Sequence, residues 1–153
     1  MLHFAYGSNM SRALMAARCP QAQALGLATL AGWRFAINRE GFGTLAPLAG
    51  GRVHGVVWRL SARDLAAINA YESVDTGLYL RRTLPIRCGG KQVAALVYLT
   101  SQQGEGTPRP GYIHLVVQAA REWDLPEPYI AALRRWSPSA WQGLRAPDTG
   151  EVG

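Results

Sequence analysis

Two features of this 153-residue chain have the residue types and spacing to do chemistry: the segment Ala5-Tyr6-Gly7-Ser8-Asn9 and the lone acid Glu72. In the first, a short apolar run ends in glycine and then opens a helix. Gly7 lets the backbone approach a ligand closely, and successive N–H groups near a helix start can receive a carbonyl oxygen or a carboxylate. No GK[ST] follows, so this is not a phosphate-binding P-loop, and it is not GxGxxG. On spacing alone, such a turn is more often a plain turn. Glu72 follows the helical pattern ending at Tyr71 and sits among Tyr71, Val74, Leu78 and Tyr79. A carboxylate there faces the negative end of the helix dipole, and partial burial adds desolvation. Both raise its pKa toward the range of a working general acid or base. Its bland alternative is a solvated carboxylate at a frayed helix end. Asp64 reads as a cap, and Glu122 and Asp124 as surface charges. Ser8 has no sequence-dictated histidine partner, which disfavours a serine hydrolase triad.

The elements that must position these residues follow from local pattern. His3–Tyr6 predicts a short strand. Ser11 then caps a short helix from Arg12 to about Arg18, stopped by Pro20. Ala28–Asn38, Gly43–Leu48 and Val53–Leu60 predict three strands, with Gly50-Gly51 as a hairpin-type connection before the last. Ser61 starts the next helix in a pattern resembling a capping box with Asp64. There Leu65, Ile68 and Tyr71 face the core, and Arg63 and Asn69 lie on the polar side. Asp75-Thr76-Gly77 breaks that pattern. Leu78–Arg87 and Gln92–Thr100 predict a strand pair turning at Gly89-Gly90, and Ser101–Pro110 a loop. Gly111–Trp123 is a helix with Ile113, Val116, Val117 and Ala120 on one stripe. A last helix spans Glu127–Trp136, with Pro128 in its first turn.

The order β-α-β-β-β-α-β-β-α-α is not a repeating βαβ alternation and disfavours a Rossmann sheet. It predicts an α+β fold: a small mixed, largely antiparallel barrel or curled sheet with helices packed outside. The expected organisation is one domain over residues 1–136 and a partly flexible tail over residues 137–153.

Composition narrows the function classes. The chain is 48% hydrophobic and 17% charged, so it folds rather than staying disordered. No window reaches 18 apolar residues, and Met1-Leu2-His3-Phe4-Ala5-Tyr6 lacks the basic and long apolar regions of a signal peptide, which predicts a cytoplasmic protein. Cys19 and Cys88 form no CxxC pair, and His3, His54 and His114 never fall at i, i+4, which disfavours a metal site. The net charge is +6, with fifteen arginines and Lys91 as the cations. They are spread along the chain rather than clustered, like a solvated face, so nucleic-acid binding is the weakest of the function classes. A positive field also suits an anionic small substrate.

Phe4-Ala5-Tyr6-Gly7-Ser8-Asn9-Met10 resembles the signature of the γ-glutamylcyclotransferase family. The resemblance continues through Gly55-Val56-Val57-Trp58, Ile68-Asn69-Ala70-Tyr71-Glu72-Ser73-Val74 and Gly77-Leu78-Tyr79. It resumes at Pro110-Gly111-Tyr112, Ala119-Ala120-Arg121-Glu122 and Leu125-Pro126-Glu127-Pro128-Tyr129, and so spans about residues 2 to 136 in family order. It implies a small mixed barrel and a cofactor-free cyclisation of γ-glutamyl compounds to 5-oxoproline, in a monomer or homodimer. Carried over by motif, Glu72 takes the catalytic position and Ala5, Tyr6, Gly7, Ser8 and Asn9 hold substrate through backbone groups. Tyr112 lines the site, and Tyr79 matches the tyrosine after the glutamate. The family commonly has glycine after that glutamate, where this chain has Ser73. YGSN, in place of the YGSL or YGTL of other branches, leans toward γ-glutamyl amino acids. Leaving-group contacts are expected from loops such as Glu40–Thr44 and Ser101–Pro110. The same fold with ligand binding but no turnover is the alternative.

Overall fold

The computed structural model describes residues 1–72, 78–100 and 104–137. Five strands close into a barrel: β1 (Leu2–Ala5), β2 (Gln23–Ile37), β3 (Gly43–Arg59), β4 (Tyr79–Cys88) and β5 (Lys91–Thr100). Around the barrel they run β1-β3-β2-β4-β5. The β1–β3, β3–β2, β2–β4 and β4–β5 pairs are antiparallel, and β5 meets β1 in parallel at Leu96 and His3. The helices are α1 (Arg12–Arg18), α2 (Ala62–Tyr71), α3 (Tyr112–Glu122) and α4 (Glu127–Arg134), with a 3-10 turn at Ser8–Met10. None is long and apolar enough to cross a membrane. The expected mixed, largely antiparallel barrel with outer helices is therefore found, closed rather than merely curled.

The strands differ from expectation in one instructive way. The three segments predicted between Ala28 and Leu60 are two long strands, with β2 starting at Gln23 and β3 unbroken from Gly43 to Arg59. Gly50-Gly51 does not reverse the chain. Trp33 pairs with Pro47 and Ala31 with Arg52, so residues 48–51 of β3 bulge opposite Gly32. A second register shift falls between Ala24 and Gly26. Gly26 and Gly32 take φ of +136° and +88°, a backbone state that side chains resist, so glycine is what permits these bulges. Bulges bend a strand, and a bent β2 can pair with β3 along its length and still reach β4 at Ala28 and Thr29.

The helix signals fare better. Ser11 Oγ accepts from Leu14 N–H at 3.2 Å and Ser61 Oγ from Asp64 N–H at 3.1 Å, as the caps required. Ile113, Val116, Val117 and Ala120 are all buried, and the turn lies at Gly89-Gly90. Asp64, in the first turn of α2, is buried, and its Oδ2 has no partner among the described residues. Of the three predicted core residues of α2, Ile68 is fully buried, while Leu65 and Tyr71 are half-buried. The predicted break at Asp75-Thr76-Gly77, the position of Ser73, residues 101–103 of the predicted loop and tail residues 138–153 lie outside the described residues.

One hydrophobic core joins the barrel interior to the helices. Val53, Val56 and Val57 of β3, and Ala95 to Leu99 of β5, are buried in near-continuous runs, because one strand face looks inward and the other is covered. β1 threads this core with Phe4 at 0% exposure. It passes so close to β3 that a Cβ on Gly55 would lie 2.3 Å from the Ala5 carbonyl oxygen.

Candidate active site

β1 delivers the chain into the Tyr6–Asn9 loop, and three other elements fix that loop in place. The Tyr6 hydroxyl donates to the Tyr98 carbonyl of β5. Trp58 of β3 donates its indole N–H to the Asn9 carbonyl at 3.0 Å, and Trp123 at the end of α3 donates to the Met10 carbonyl at 2.7 Å. The two indoles meet edge to face, 6.1 Å apart. Within the loop, Met10 N–H returns to the Gly7 carbonyl at 3.0 Å and Ser11 N–H to that of Ser8 at 2.9 Å, forming the 3-10 turn. Ser8 and Asn9, polar as they are, are both buried.

Glu72 caps α2, its N–H held by the Ile68 carbonyl at 2.9 Å. Its side chain turns inward and is only 4% exposed. Oε1 accepts from Asn9 Nδ2 at 3.3 Å, while Oε2 has no partner among the described residues. Arg18, the last residue of α1, donates to Asn9 Oδ1 and, at 3.3 Å, to Ser8 Oγ. Its guanidinium stacks 3.8 Å over the Tyr71 ring. Asn9 thus accepts from the arginine with its oxygen and donates to the carboxylate with its nitrogen, a use of both amide ends that fixes its orientation. Burial pushes the Glu72 carboxyl up to about 7, outweighing the Arg18 charge and the Asn9 hydrogen bond, which pull it down. A carboxyl so placed exchanges its proton near neutral pH.

Glu72 shares a small cavity of about 10 Å³ with His3, Ala5, Tyr6, Gly7, Asn9, Tyr79 and Tyr98. That is room for about one water molecule. Six of the eight expected residues line it, Tyr79 and five others. Those five are Ala5, Tyr6, Gly7, Asn9 and Glu72; Ser8 and Tyr112 are not among the lining residues. Tyr112 and Tyr79 instead converge on Gly43. The Tyr79 hydroxyl donates to the Gly43 carbonyl at 2.9 Å, and the Tyr112 hydroxyl accepts from Gly43 N–H at 3.0 Å. Asn38 adds a donor to Tyr79 at 3.1 Å. Burial drives both phenols well above their ordinary pKa, so they act as neutral hydrogen-bonding groups. The two loops expected to hold a leaving group are tied to each other. Arg109 donates through Nε to the Glu40 carbonyl at 2.8 Å and through its N–H to that of Gly41 at 3.1 Å, and Arg34 pairs with Glu105.

Sequence patterns gave no sign of four of these participants. His3 and Tyr98 line the cavity from neighbouring strands, Arg18 was grouped with a solvated arginine face, and Trp123 reaches the loop from 113 residues away. The alternation of His3 with Ala5 on one strand face was the one available signal.

The profile of the AIG2-like family matches residues 52–133. Mouse γ-glutamylcyclotransferase is 26% identical over 99% of this chain and 86% of its own, and the human γ-glutamylcyclotransferase matches equally. A solved structure of a γ-glutamyl cyclotransferase superposes with a TM-score of 0.82 at 25% identity, covering 100% of this chain and 93% of that one.

Proposed function

The chain belongs to the AIG2-like, γ-glutamylcyclotransferase family, and on that premise we propose that it cyclises the γ-glutamyl group of γ-glutamyl amino acids or amines. The products are 5-oxoproline and the released amino acid or amine. The observation that carries this proposal is Glu72: a buried carboxyl with one oxygen unpartnered, beside a backbone-lined loop, titrating near neutrality.

The reaction needs little more than those parts. An α-ammonium is not nucleophilic, so ionised Glu72 removes one of its protons. The freed amine attacks the γ-carbonyl carbon of the same molecule, a C–N bond forms, and the carbonyl electron pair moves to oxygen. N–H groups of the Ala5–Asn9 loop stabilise that oxyanion, a contribution of about 3–4 kcal/mol for one well-aimed donor. The tetrahedral intermediate then collapses. Glu72, now protonated, gives its proton to the leaving nitrogen as the old C–N bond breaks, and the ring nitrogen then sheds its second proton to the regenerated carboxylate, from which it passes through solvent to the released amine. Because attack is intramolecular, holding the substrate curled supplies much of the remaining acceleration. Tyr79 and Tyr112 brace Gly43, and Tyr79 also lines the cavity.

Incubation with γ-glutamyl-alanine tests the proposal. 5-Oxoproline is expected, and Glu72→Gln should lower kcat by about 10²- to 10⁴-fold while leaving the fold intact. Binding without turnover by the unaltered protein would replace the enzyme with a ligand-binding protein on the same fold.

A further inference from the structure

His3 brings a second unpartnered polar atom to the cavity, and nothing in the cycle above uses it. It lies on β1, paired with Trp58 on one side and Leu96 on the other, two residues before Ala5 and on the same strand face. The ring is 3% exposed and stands edge-on to Tyr98, with centroids 5.4 Å apart. Nδ1 lies 3.3 Å from the Leu96 carbonyl oxygen. A carbonyl only accepts, so Nδ1 carries the hydrogen. Burial disfavours the imidazolium and pushes the His3 pKa down to about 4, so the ring is neutral. A neutral imidazole with its hydrogen on Nδ1 presents a bare lone pair at Nε2. That atom is buried and has no partner among the described residues. Since Nδ1 is engaged, Nε2 is the polar atom His3 can offer a ligand.

Two of the residues that line the cavity, Glu72 and His3, thus each carry a desolvated atom without a partner among the described residues, Oε2 and Nε2. Buried polar groups are almost always satisfied, so a pair left open on one cavity marks the place of an absent donor. With Glu72 ionised, both are acceptors, and a primary ammonium offers three N–H donors on one small atom. We propose that His3 is a substrate-binding residue whose Nε2 accepts a hydrogen bond from the α-amino group of the γ-glutamyl unit, beside Glu72. The inference rests on the proposed function and adds a role to it. Once Glu72 has taken one proton, the amine keeps two N–H bonds. Holding one of them on His3 fixes the rotation of the nitrogen and turns its lone pair to the γ-carbonyl. The site then selects ligands with a free primary amine.

Two uncleavable ligands test this: a γ-glutamyl dipeptide isostere with two methylenes in place of the scissile amide, and the same molecule without its α-amine. Calorimetric titration should show tighter binding of the amine ligand to the unaltered protein. His3→Phe keeps a ring against Tyr98 but removes the lone pair. It should cost about tenfold in affinity for the amine ligand and nothing for the other. His3→Gln, which can offer an amide oxygen, should recover part of the loss. In the unaltered protein labelled with 15N-histidine, the His3 Nε2 resonance should be that of an unprotonated nitrogen and should move with the amine ligand alone. This measurement decides the matter if neither variant folds. Equal loss for both ligands, no loss for either, or a protonated Nε2 in the free protein would overturn the assignment. Amine-selective binding without 5-oxoproline production would overturn the catalytic reading and support His3; failure to bind either ligand would overturn both.

Discussion

Asn9 Nδ2 donates to Glu72 Oε1 across 3.3 Å, joining two residues 63 positions apart in the chain. This hydrogen bond ties the glycine loop to the acid. It is held from behind by Arg18, whose guanidinium donates to the other end of the same amide. The trio also sets the acid's working range, since burial raises its pKa while the arginine and the amide restrain it.

As a base, Glu72 must be ionised, so kcat/KM should rise with pH through an apparent pKa near 7. Removing the positive charge by Arg18→Ala disfavours the carboxylate and should move that limb to higher pH. Arg18→Lys keeps the charge but not the fork to Ser8 and Asn9, and should move it less. A pH–rate profile of each variant checks this; an unmoved limb would mean that Arg18 does not act on the acid.

The same shift has a consequence for folding, with a definite sign. The folded-state pKa, about 7, lies above the ordinary carboxyl value of 4.5. Below about pH 4.5 both states hold the proton and there is no penalty. Between 4.5 and 7 the unfolded chain releases it first, so stability falls as pH rises and levels off above 7. Glu72→Gln escapes this loss. It should be the more stable protein at pH 8 by on the order of 3 kcal/mol, an advantage that vanishes at pH 4. Urea denaturation of both proteins at the two pH values measures it.

Tyr112→Phe tests whether the tyrosine acts through Gly43. Without the hydroxyl, the buried Gly43 N–H loses its acceptor at 3.0 Å, which should cost about 1–3 kcal/mol. The loss should appear as a drop in Tm of about 2–4 °C per kcal/mol. A larger fall in kcat than in stability would instead give the hydroxyl a direct part in the reaction.

Gly55→Ala should be severe although alanine is small. Its Cβ would meet the Ala5 carbonyl at 2.3 Å and the Phe4 ring at 2.8 Å, and neither can move without shifting β1. A loss at or above the ~1–3 kcal/mol of ordinary overpacking is expected. Gly89→Asn is the contrast. At φ +59°, with nothing within 4 Å of the new Cβ, asparagine fits the turn, and the change should be within about 1 kcal/mol. Chemical denaturation of the two variants compares them.

Much of this architecture is local in origin and so was legible. Ser11 and Ser61 cap because a hydroxyl beside a helix start reaches a free N–H two or three residues on. The stripe from Ile113 to Ala120 is buried because 3.6 residues make a turn. The failures share one cause. Gly50-Gly51 looks the same whether it reverses the chain or forms a bulge, and only the partner strand, with Gly32 opposite, decides. Arg18 reads as one of a solvated arginine face, yet only the fold brings the loop it donates to beside it.

The sequence by itself determined the elements, the glycine loop and the acid that ends α2, because caps, period and motif are properties of neighbouring residues. Tertiary structure alone decided that the loop and the acid share a cavity, that Arg18 leaves the solvated face to restrain Glu72, and that His3 arrives with one ring nitrogen already spent on Leu96. Those facts depend on barrel closure, which brings β1 beside β5 and the end of α2 over the loop. Hydrogen bonding and desolvation act over a few ångströms of space, whatever the distance along the chain.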